Sequence, residues 1–183
     1  PVRVAAMGYA LPGTVIAIGV MIPLAALDNS IDLWAEWQFG IRTGLLLSGT
    51  LVALVLAYTV RFMAVALHSV EAGLMNITPS MDNAARSLGE SPVGVLKRVH
   101  LPLLRASVLS ALLLVFVDVL KELPATLLLR PFNFNTLSVR SYELASDERL
   151  ADAALPALAI VLIGLIPVIL LSRALDRSNR GAT

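Results

Sequence analysis

Long stretches without a single charged residue constrain this chain more than any other feature. Val4–Leu27 contains no Asp, Glu, Lys or Arg, and Thr43–Val60 is a second such stretch. A helix needs about 20 mostly apolar residues to cross the ~30 Å hydrocarbon core of a bilayer. The best spans are therefore Leu11–Leu27 and Thr43–Val60, and the second helix can continue past Arg61 to His68.

Two more apolar runs follow in the second half of the chain. Ala106–Val117 is ended by a group of charges, and Ala153–Ser172 is the last run before a basic tail. All four runs are continuous, unlike the alternating ten-residue strands of a membrane barrel. Because lipid offers no hydrogen bonds, each backbone polar group has to be satisfied within its own helix. The sequence predicts an all-α integral membrane protein with about four transmembrane helices.

Composition supports a membrane protein and excludes several other classes. Hydrophobic residues make up 57% of the chain and charged residues 15%, whereas soluble domains are nearer half and a quarter. Mean hydropathy is +0.82. The net charge of +1 provides no basic face for nucleic acid. Without cysteine there are no disulfides or thiolate metal sites, and His68 and His100 alone form no metal site.

Basic residues predict the orientation of the spans. They concentrate between the second and third spans and in the tail, at Arg86, Lys97, Arg98, Arg105, Arg173, Arg177 and Arg180. The stretch after the first span, Asp28–Arg42, is mainly acidic, and its Trp34 and Trp37 fit an interfacial aromatic belt. Because basic loops stay inside, we expect the middle loop and both chain ends to be cytoplasmic and residues 28–42 to be periplasmic.

The middle loop, residues 78–102, reads TPSMDNAARSLGESPVGVLKRVHLP. Thr78 or Ser80 can cap a first short helix, and Gly89 can end that helix in a left-handed conformation. Ser91 followed by proline is a second start signal, here for a helix over Val93–Val99. We therefore expect a cytoplasmic loop of two short helices.

This loop resembles the cytoplasmic loop of permeases in binding-protein-dependent ABC importers. Their pattern is Glu-Ala-Ala, three residues, Gly, nine residues, Ile, one residue and Leu-Pro. This chain matches both spacings, with Asn83 in place of Glu and Val99 in place of Ile; Asp82 can substitute for the missing carboxylate. The resemblance implies that the loop docks on an ATPase subunit, where small alanines permit close approach. The candidate coupling residues are Asp82, Asn83, Ala84, Ala85, Arg86, Gly89, Glu90, Leu101 and Pro102.

The resemblance extends along nearly the whole chain. LPGTVIAIG, KELPATLLLRPF and SYELASDERLADAALPALAIVLIGLIPV are similar to iron(III) importer permeases, with thiamine permeases a near alternative. It implies a partial type I ABC importer permease fold in which residues 1–183 form the C-terminal half and lack its earliest helices. A bacterial inner-membrane location is implied too, as are four partners: ABC ATPase subunits, a periplasmic solute-binding protein, the other permease half or subunit, and membrane lipid. No cofactor is expected on this chain, and ATP belongs to the partner subunit.

Charges within the third span are the candidate translocation site. Asp118 lies thirteen residues beyond Arg105, about 20 Å deeper in a helix. Its spacing allows an ion pair with Lys121, and Pro124 then breaks the helix next to Glu122. Ionisable groups at such depth face a bundle interior or a water-filled path. Two interpretations remain open: a gate or path lining, and a structural ion pair near the outer interface.

Other charged residues give weaker signals. We expect Arg61 and His68 to snorkel at the inner boundary. The acidic stretch before the last span either meets a binding protein or is simply solvated; it contains Tyr142, Glu143, Asp147 and Glu148.

Two rival function classes fit a polytopic membrane protein. An enzyme acting on lipid-linked substrates needs a cluster of acid, base or metal ligands, and Asp118 and Glu122 are the only deep carboxylates. A membrane scaffold does not require the loop spacing. No GxxxxGK[ST] motif is present, so ATP hydrolysis is expected on a separate subunit, and this chain is expected to be a permease rather than an enzyme.

Overall fold

The computed structural model describes the backbone of residues 9–180 and the side chains of residues 9–170, 172 and 173. The first eight residues of the chain and the side chains of Arg177 and Arg180, on which part of the orientation argument depends, lie outside this range. Within it, all regular structure is helical. The helices are α1 (Gly13–Phe39), α2 (Leu51–Leu74), α3 (Pro79–Ser87), α4 (Pro92–Val95), α5 (Leu101–Leu120), α6 (Pro124–Leu129), α7 (Leu137–Ser146) and α8 (Leu150–Arg180), with a π-helical turn, Leu96–His100, between α4 and α5.

Among the described residues, four helical segments are long and apolar enough to cross a membrane: Gly13–Phe39, Leu51–Leu74, Pro92–Leu120 and Leu150–Leu170. The predicted all-α, multi-pass architecture is confirmed. The boundaries differ from the predicted spans, however, because helices continue through charged residues that a hydropathy argument treats as ends.

The largest difference concerns the stretch from Asp28 to Arg42, predicted as a polar connection. It is mostly helical, since α1 continues to Phe39 and ends at Gly40, which has φ +67°. Asp28 is buried and accepts backbone N–H bonds from three residues of the returning loop, ending with Ser48 at 2.7 Å. One turn later, Asp32 accepts from Thr43 and Gly44 at 2.7 and 2.9 Å. These aspartates stabilise a loop folded back along α1, so α2 begins only at Leu51.

The free side of this end of α1 is aromatic. Trp34, Trp37 and Phe39 are exposed, and Trp34 packs edge-on against Phe39. In the connecting loop, Arg42 Nε lies 3.1 Å from a carboxylate oxygen of Glu36. That hydrogen bond, together with the charge of Glu36, raises the pKa of the Arg42 guanidinium. The acidic and aromatic residues therefore occupy different faces of one helix.

Small residues allow the helices to pack closely. The core formed by α1, α2 and α6 consists of Ile16, Ala17, Leu24, Ala53, Leu54, Ala57, Ala125 and Leu129. At the other end of α2, Gly73 lies directly against Ser107 and Leu104 of α5. Such small-residue contacts are typical of membrane helices, whose association depends on close van der Waals packing.

The bundle contains two short helices that do not cross it. α5 ends at Leu120, and α6 starts at Pro124 and has only six residues. The Ser138 hydroxyl at the start of α7 donates to the Glu122 carbonyl at 2.9 Å, so the chain returns to the α5–α6 break before α7 begins. α7 then packs along the first half of α8, and Gly164 of α8 lies opposite Leu120. The break is therefore a meeting point of several elements.

Candidate functional site

The loop over residues 78–102 has the predicted punctuation. Gly89 is left-handed with φ +86°, and the N–H of Glu90 returns to the Ala85 carbonyl at 3.1 Å. Ser91 caps the second helix by accepting from the N–H of Gly94 at 3.1 Å. Thr78 occupies the N-cap position of α3, but its hydroxyl contacts Ser80 instead of a backbone N–H. The two helices form, with one of the two predicted side-chain caps.

Two ion pairs fix α3 and the loop after it against the π-helical turn. Asp82 Oδ1 lies 2.7 Å from His100 Nε2, a salt bridge when the imidazole is protonated. Glu90 pairs with Arg98. Asp82 thus has a polar partner of its own, and both pairs join α3 and the loop after it to the chain that enters the membrane.

Burial separates the loop residues into a supporting set and a presenting set. Ala85 is only 8% exposed, so most of its side chain packs within this chain, and its contact with a partner stays a prediction. Asn83, Ala84, Arg86, Leu101 and Pro102 are exposed. Leu88 is 86% exposed at the tip of α3. We did not predict a role for Leu88, although an apolar residue beside Gly89 at the end of a polar helix was a readable signal.

The loop runs into the membrane without interruption. Residues 92–120 are helical throughout, with the N–H of Leu101 bonded to the Leu96 carbonyl in the π-helical turn. Pro102 has no N–H to donate, which makes a wider turn at this point less costly. The predicted separate helix Val93–Val99 is therefore the first part of one continuous helical segment that includes α5.

The predicted ion pair within the third span is present. Lys121 Nζ lies 3.0 Å from Asp118 Oδ1. The Asp118 side chain is 15% exposed and the Lys121 side chain 64%. Asp118 also borders a cavity of about 390 Å³ shared with Tyr9 and His68. The carboxylate faces into the bundle and the ammonium faces out.

Glu122 has a different partner, which corrects the prediction for Arg61. The Arg61 Nε atom lies 3.0 Å from Glu122 Oε2, with side chains 18% and 5% exposed. Its N–H is not aligned with that oxygen, so the contact is an ion pair without a well-formed hydrogen bond. Arg61 is ten residues from Leu51 and thirteen from Leu74, about 15 and 20 Å from the helix ends. It does not snorkel at the inner boundary; it lies mid-helix.

His68, in contrast, lies in the last turns of α2. Its ring nitrogen is 3.7 Å from Glu71, and both side chains are largely exposed. This position agrees with the predicted boundary residue.

The buried Glu122 is satisfied by the surrounding backbone and hydroxyls. Its Oε1 accepts from the N–H of Ala125 at 3.1 Å, and its carbonyl accepts from Thr126 and Ser138. Tyr58 of α2 bonds the Thr126 hydroxyl in turn. Glu122 therefore connects α2, the α5–α6 break and the start of α7.

The acidic stretch before α8 divides into two parts. Glu143 pairs with Arg130 at 2.9 Å and also bonds Asn135, so it is part of the internal structure between α6 and α7. Tyr142, Asp147 and Glu148 are exposed. Only this exposed part can offer a surface to a partner.

Residues 2–181 match the family described as "Binding-protein-dependent transport system inner membrane component". The chain is 31% identical over 165 residues to the Fe(3+)-transport system permease protein FbpB 2 of Haemophilus influenzae, covering 90% of this chain and 29% of that protein.

Two further relatives have other printed substrates. A putative 2-aminoethylphosphonate transport system permease protein, PhnV of Salmonella typhimurium, is 35% identical over 131 residues, which is 72% of this chain and 49% of that protein. A probable molybdenum ABC transporter permease protein of Haloferax volcanii is 34% identical over 137 residues, which is 74% of this chain and 50% of that protein. The chain thus spans half or less of the length of these relatives.

Proposed function

Because the chain belongs to the family of binding-protein-dependent transport system inner membrane components, we propose that it forms the C-terminal, energy-coupled part of an ATP-driven importer permease. The observation that carries this proposal is the 78–102 loop. It presents an exposed apolar residue, Leu88, at the tip of a short polar helix, and it continues into a membrane helix without a flexible joint. ATP is bound and hydrolysed by a partner subunit.

The mechanism follows from how the loop is connected. An ATPase that grips α3 moves the π-helical turn with it, since the pairs Asp82–His100 and Glu90–Arg98 join the two segments. The turn is continuous with α5, which carries Asp118 and ends at the break beside Glu122. A rigid rod of 29 residues, Pro92–Leu120, spans about 40 Å. Closure of the ATPases thereby moves the segment that carries Asp118 and Glu122.

Orientation and location belong to the same proposal. The basic loop places α3 in the cytoplasm, and the exposed turn at Asp147 and Glu148 then lies on the periplasmic side, where a solute-binding protein delivers its cargo. The other permease half or subunit completes the path.

We propose iron(III) as the transported solute. The support is the FbpB 2 relative, to which 90% of this chain aligns. The phosphonate and molybdenum permeases supply the competing candidates. Uptake of labelled iron(III), 2-aminoethylphosphonate and molybdate by the complete transporter, each with its own binding protein, separates them, and iron uptake alone is the expected result.

Substitution of Gly89 tests the coupling role. Gly89→Val places a β-branched residue at φ +86°, a conformation that such residues strongly disfavour, so α3 is displaced. We expect normal membrane abundance, at least tenfold less ATPase retained on purification, and no uptake.

Gly40→Val is the matched control, because Gly40 is also left-handed and also has open space around a Cβ, but lies at the opposite end of the bundle. It should retain the ATPase. Wild-type uptake by Gly89→Val would remove the support for coupling through this loop.

A further inference from the structure

Two helix breaks in this chain share a short sequence. Leu11-Pro12-Gly13-Thr14 precedes and opens α1, and Leu123-Pro124-Ala125-Thr126 opens α6. Tyr9 and Ala10 are helical before the first break, and α5 precedes the second. A proline disfavours helical conformation in the residue before it, and it is well tolerated where a new helix starts. Both breaks therefore carry a proline where the new helix starts, Pro12 at the N-cap of α1 and Pro124 as the first residue of α6.

The two breaks lie against each other in the middle of the bundle. A Cβ on Gly13 would lie 2.6 Å from Glu122 Oε1 and 3.3 Å from the backbone nitrogen of Ala125. Both distances are shorter than ordinary contacts, and Arg61 Nη1 would lie 3.0 Å away, so a Cβ at this position requires the two charged side chains to shift. From here α1 and α6 pack side by side, with Ile16 and Ala17 in one core with Ala125.

One arginine joins both breaks. Arg61 Nη1 donates to the Leu11 carbonyl at 3.1 Å, and its Nε lies 3.0 Å from Glu122 Oε2. The Leu11 carbonyl is at the interruption before α1, and the Glu122 carboxylate caps the start of α6 through Ala125. The guanidinium thus holds a backbone group of one break and a side chain of the other.

We propose that Arg61 and Glu122 are the positioning residues that hold the two helix breaks together in the resting transporter, and that parting them lets α1 and the α5–α6 segment separate during transport. This inference rests on the proposed importer function. Paired charges in a dry interior are costly to separate, because each is left without a partner. Water reaching the pair removes that cost, so the contact has two stable arrangements, closed when dry and open when hydrated.

The position suits such a role. Broken helices surround the midplane sites of many transporters, where their ends face the solute path. Here the breaks meet at the level of Arg61, about halfway along α2. The continuous helical segment from the 78–102 loop ends at the same break. A movement driven by the ATPase therefore reaches the Arg61–Glu122 pair, here called the clamp, directly.

A pair of glycine substitutions tests the clamp with both charges retained. Gly13→Ala places a Cβ 2.6 Å from Glu122 Oε1 and 3.0 Å from Arg61 Nη1, so the ion pair has to shift, whereas Gly19→Ala on the same helix meets nothing within 4 Å. The measurement is ATPase activity of the complete transporter in proteoliposomes, with and without its binding protein. We expect Gly13→Ala to raise basal activity several-fold and to lower the stimulation ratio toward one. Gly19→Ala should match the wild type.

Neutral substitutions separate positioning from stability. Arg61→Gln and Glu122→Gln each strand a buried charge, and the double variant does not. The double variant should regain the melting temperature and abundance lost by the single ones, with a stimulation ratio still near one. A wild-type stimulation ratio in Gly13→Ala or in the double variant would overturn the clamp. Absence of stimulation in the wild-type transporter would instead overturn the proposed function on which it rests.

Discussion

At the scale of single residues, the charges within the long helices are placed by specific partners. Asp28 accepts hydrogen bonds from three backbone N–H groups of the returning loop. Asp118 forms an ion pair with Lys121, and Glu122 forms one with Arg61. A buried charge without a partner costs several kcal/mol, whereas a well-paired one is tolerated. Asp28 and Glu122 therefore mark contacts between distant segments, whereas Asp118 and Lys121 form a local pair at the C-terminal end of α5.

The unequal exposure of Asp118 and Lys121 gives a directional prediction. Lys121→Ala leaves the partly buried Asp118 carboxylate without a cation, whereas Asp118→Ala leaves an ammonium that is mostly exposed. We expect Lys121→Ala to destabilise the protein more, by roughly 2–3 kcal/mol, near the low end for breaking a buried pair. Thermal melting of the purified transporter measures this.

The double variant is the control, since it strands neither charge. It should melt closer to the wild type than Lys121→Ala does. A lower melting temperature for Asp118→Ala than for Lys121→Ala would show that the ammonium is the more costly group to isolate.

At the scale of helices, close packing depends on where glycine is placed. Gly73 of α2 abuts Ser107 and Leu104 of α5, whereas a Cβ on Gly164 of α8 would meet Leu120 at an ordinary 3.9 Å. Both glycines lie within long helices, where alanine is intrinsically the better helix former by about 1 kcal/mol. The two positions therefore differ mainly in the space available.

Alanine substitution should have opposite signs at these two positions. Gly73→Ala forces α2 and α5 apart and should cost about 1–3 kcal/mol, the usual range for overpacking. Gly164→Ala should be neutral or stabilising by up to about 1 kcal/mol. Melting temperatures of the two variants in one detergent give the comparison, and equal losses would mean that the α2–α5 contact is looser than described.

What the sequence could predict at this scale was local. Charge-free runs identified four spans, and the Ser91 and Gly89 signals located the loop helices. Contacts between distant segments were not readable. Asp28 looked like the end of a span because its amide partners lie about twenty residues away, and Arg61 looked like a boundary residue because Glu122 is sixty-one positions further along.

At the scale of the whole molecule, the structure connects one end of the bundle to its middle. The 78–102 loop, α5 and the α5–α6 break form one continuous path, and Arg61 extends it to α1. The chain spans half or less of the length of its relatives. We propose that movement of a soluble ATPase is transmitted along this path into the membrane interior.

Co-purification of the ATPase with a Leu88 variant tests whether the ATPase docks on the 78–102 loop. Leu88→Asp places a charge on the exposed tip of α3, and Met75→Asp places the same charge at a residue that is 78% exposed at the end of α2, outside the loop. We expect at least tenfold weaker ATPase binding for Leu88→Asp, which is a loss of about 1.4 kcal/mol or more in binding free energy. Binding to Met75→Asp should be unchanged. Full retention of the ATPase by Leu88→Asp would contradict docking through this loop.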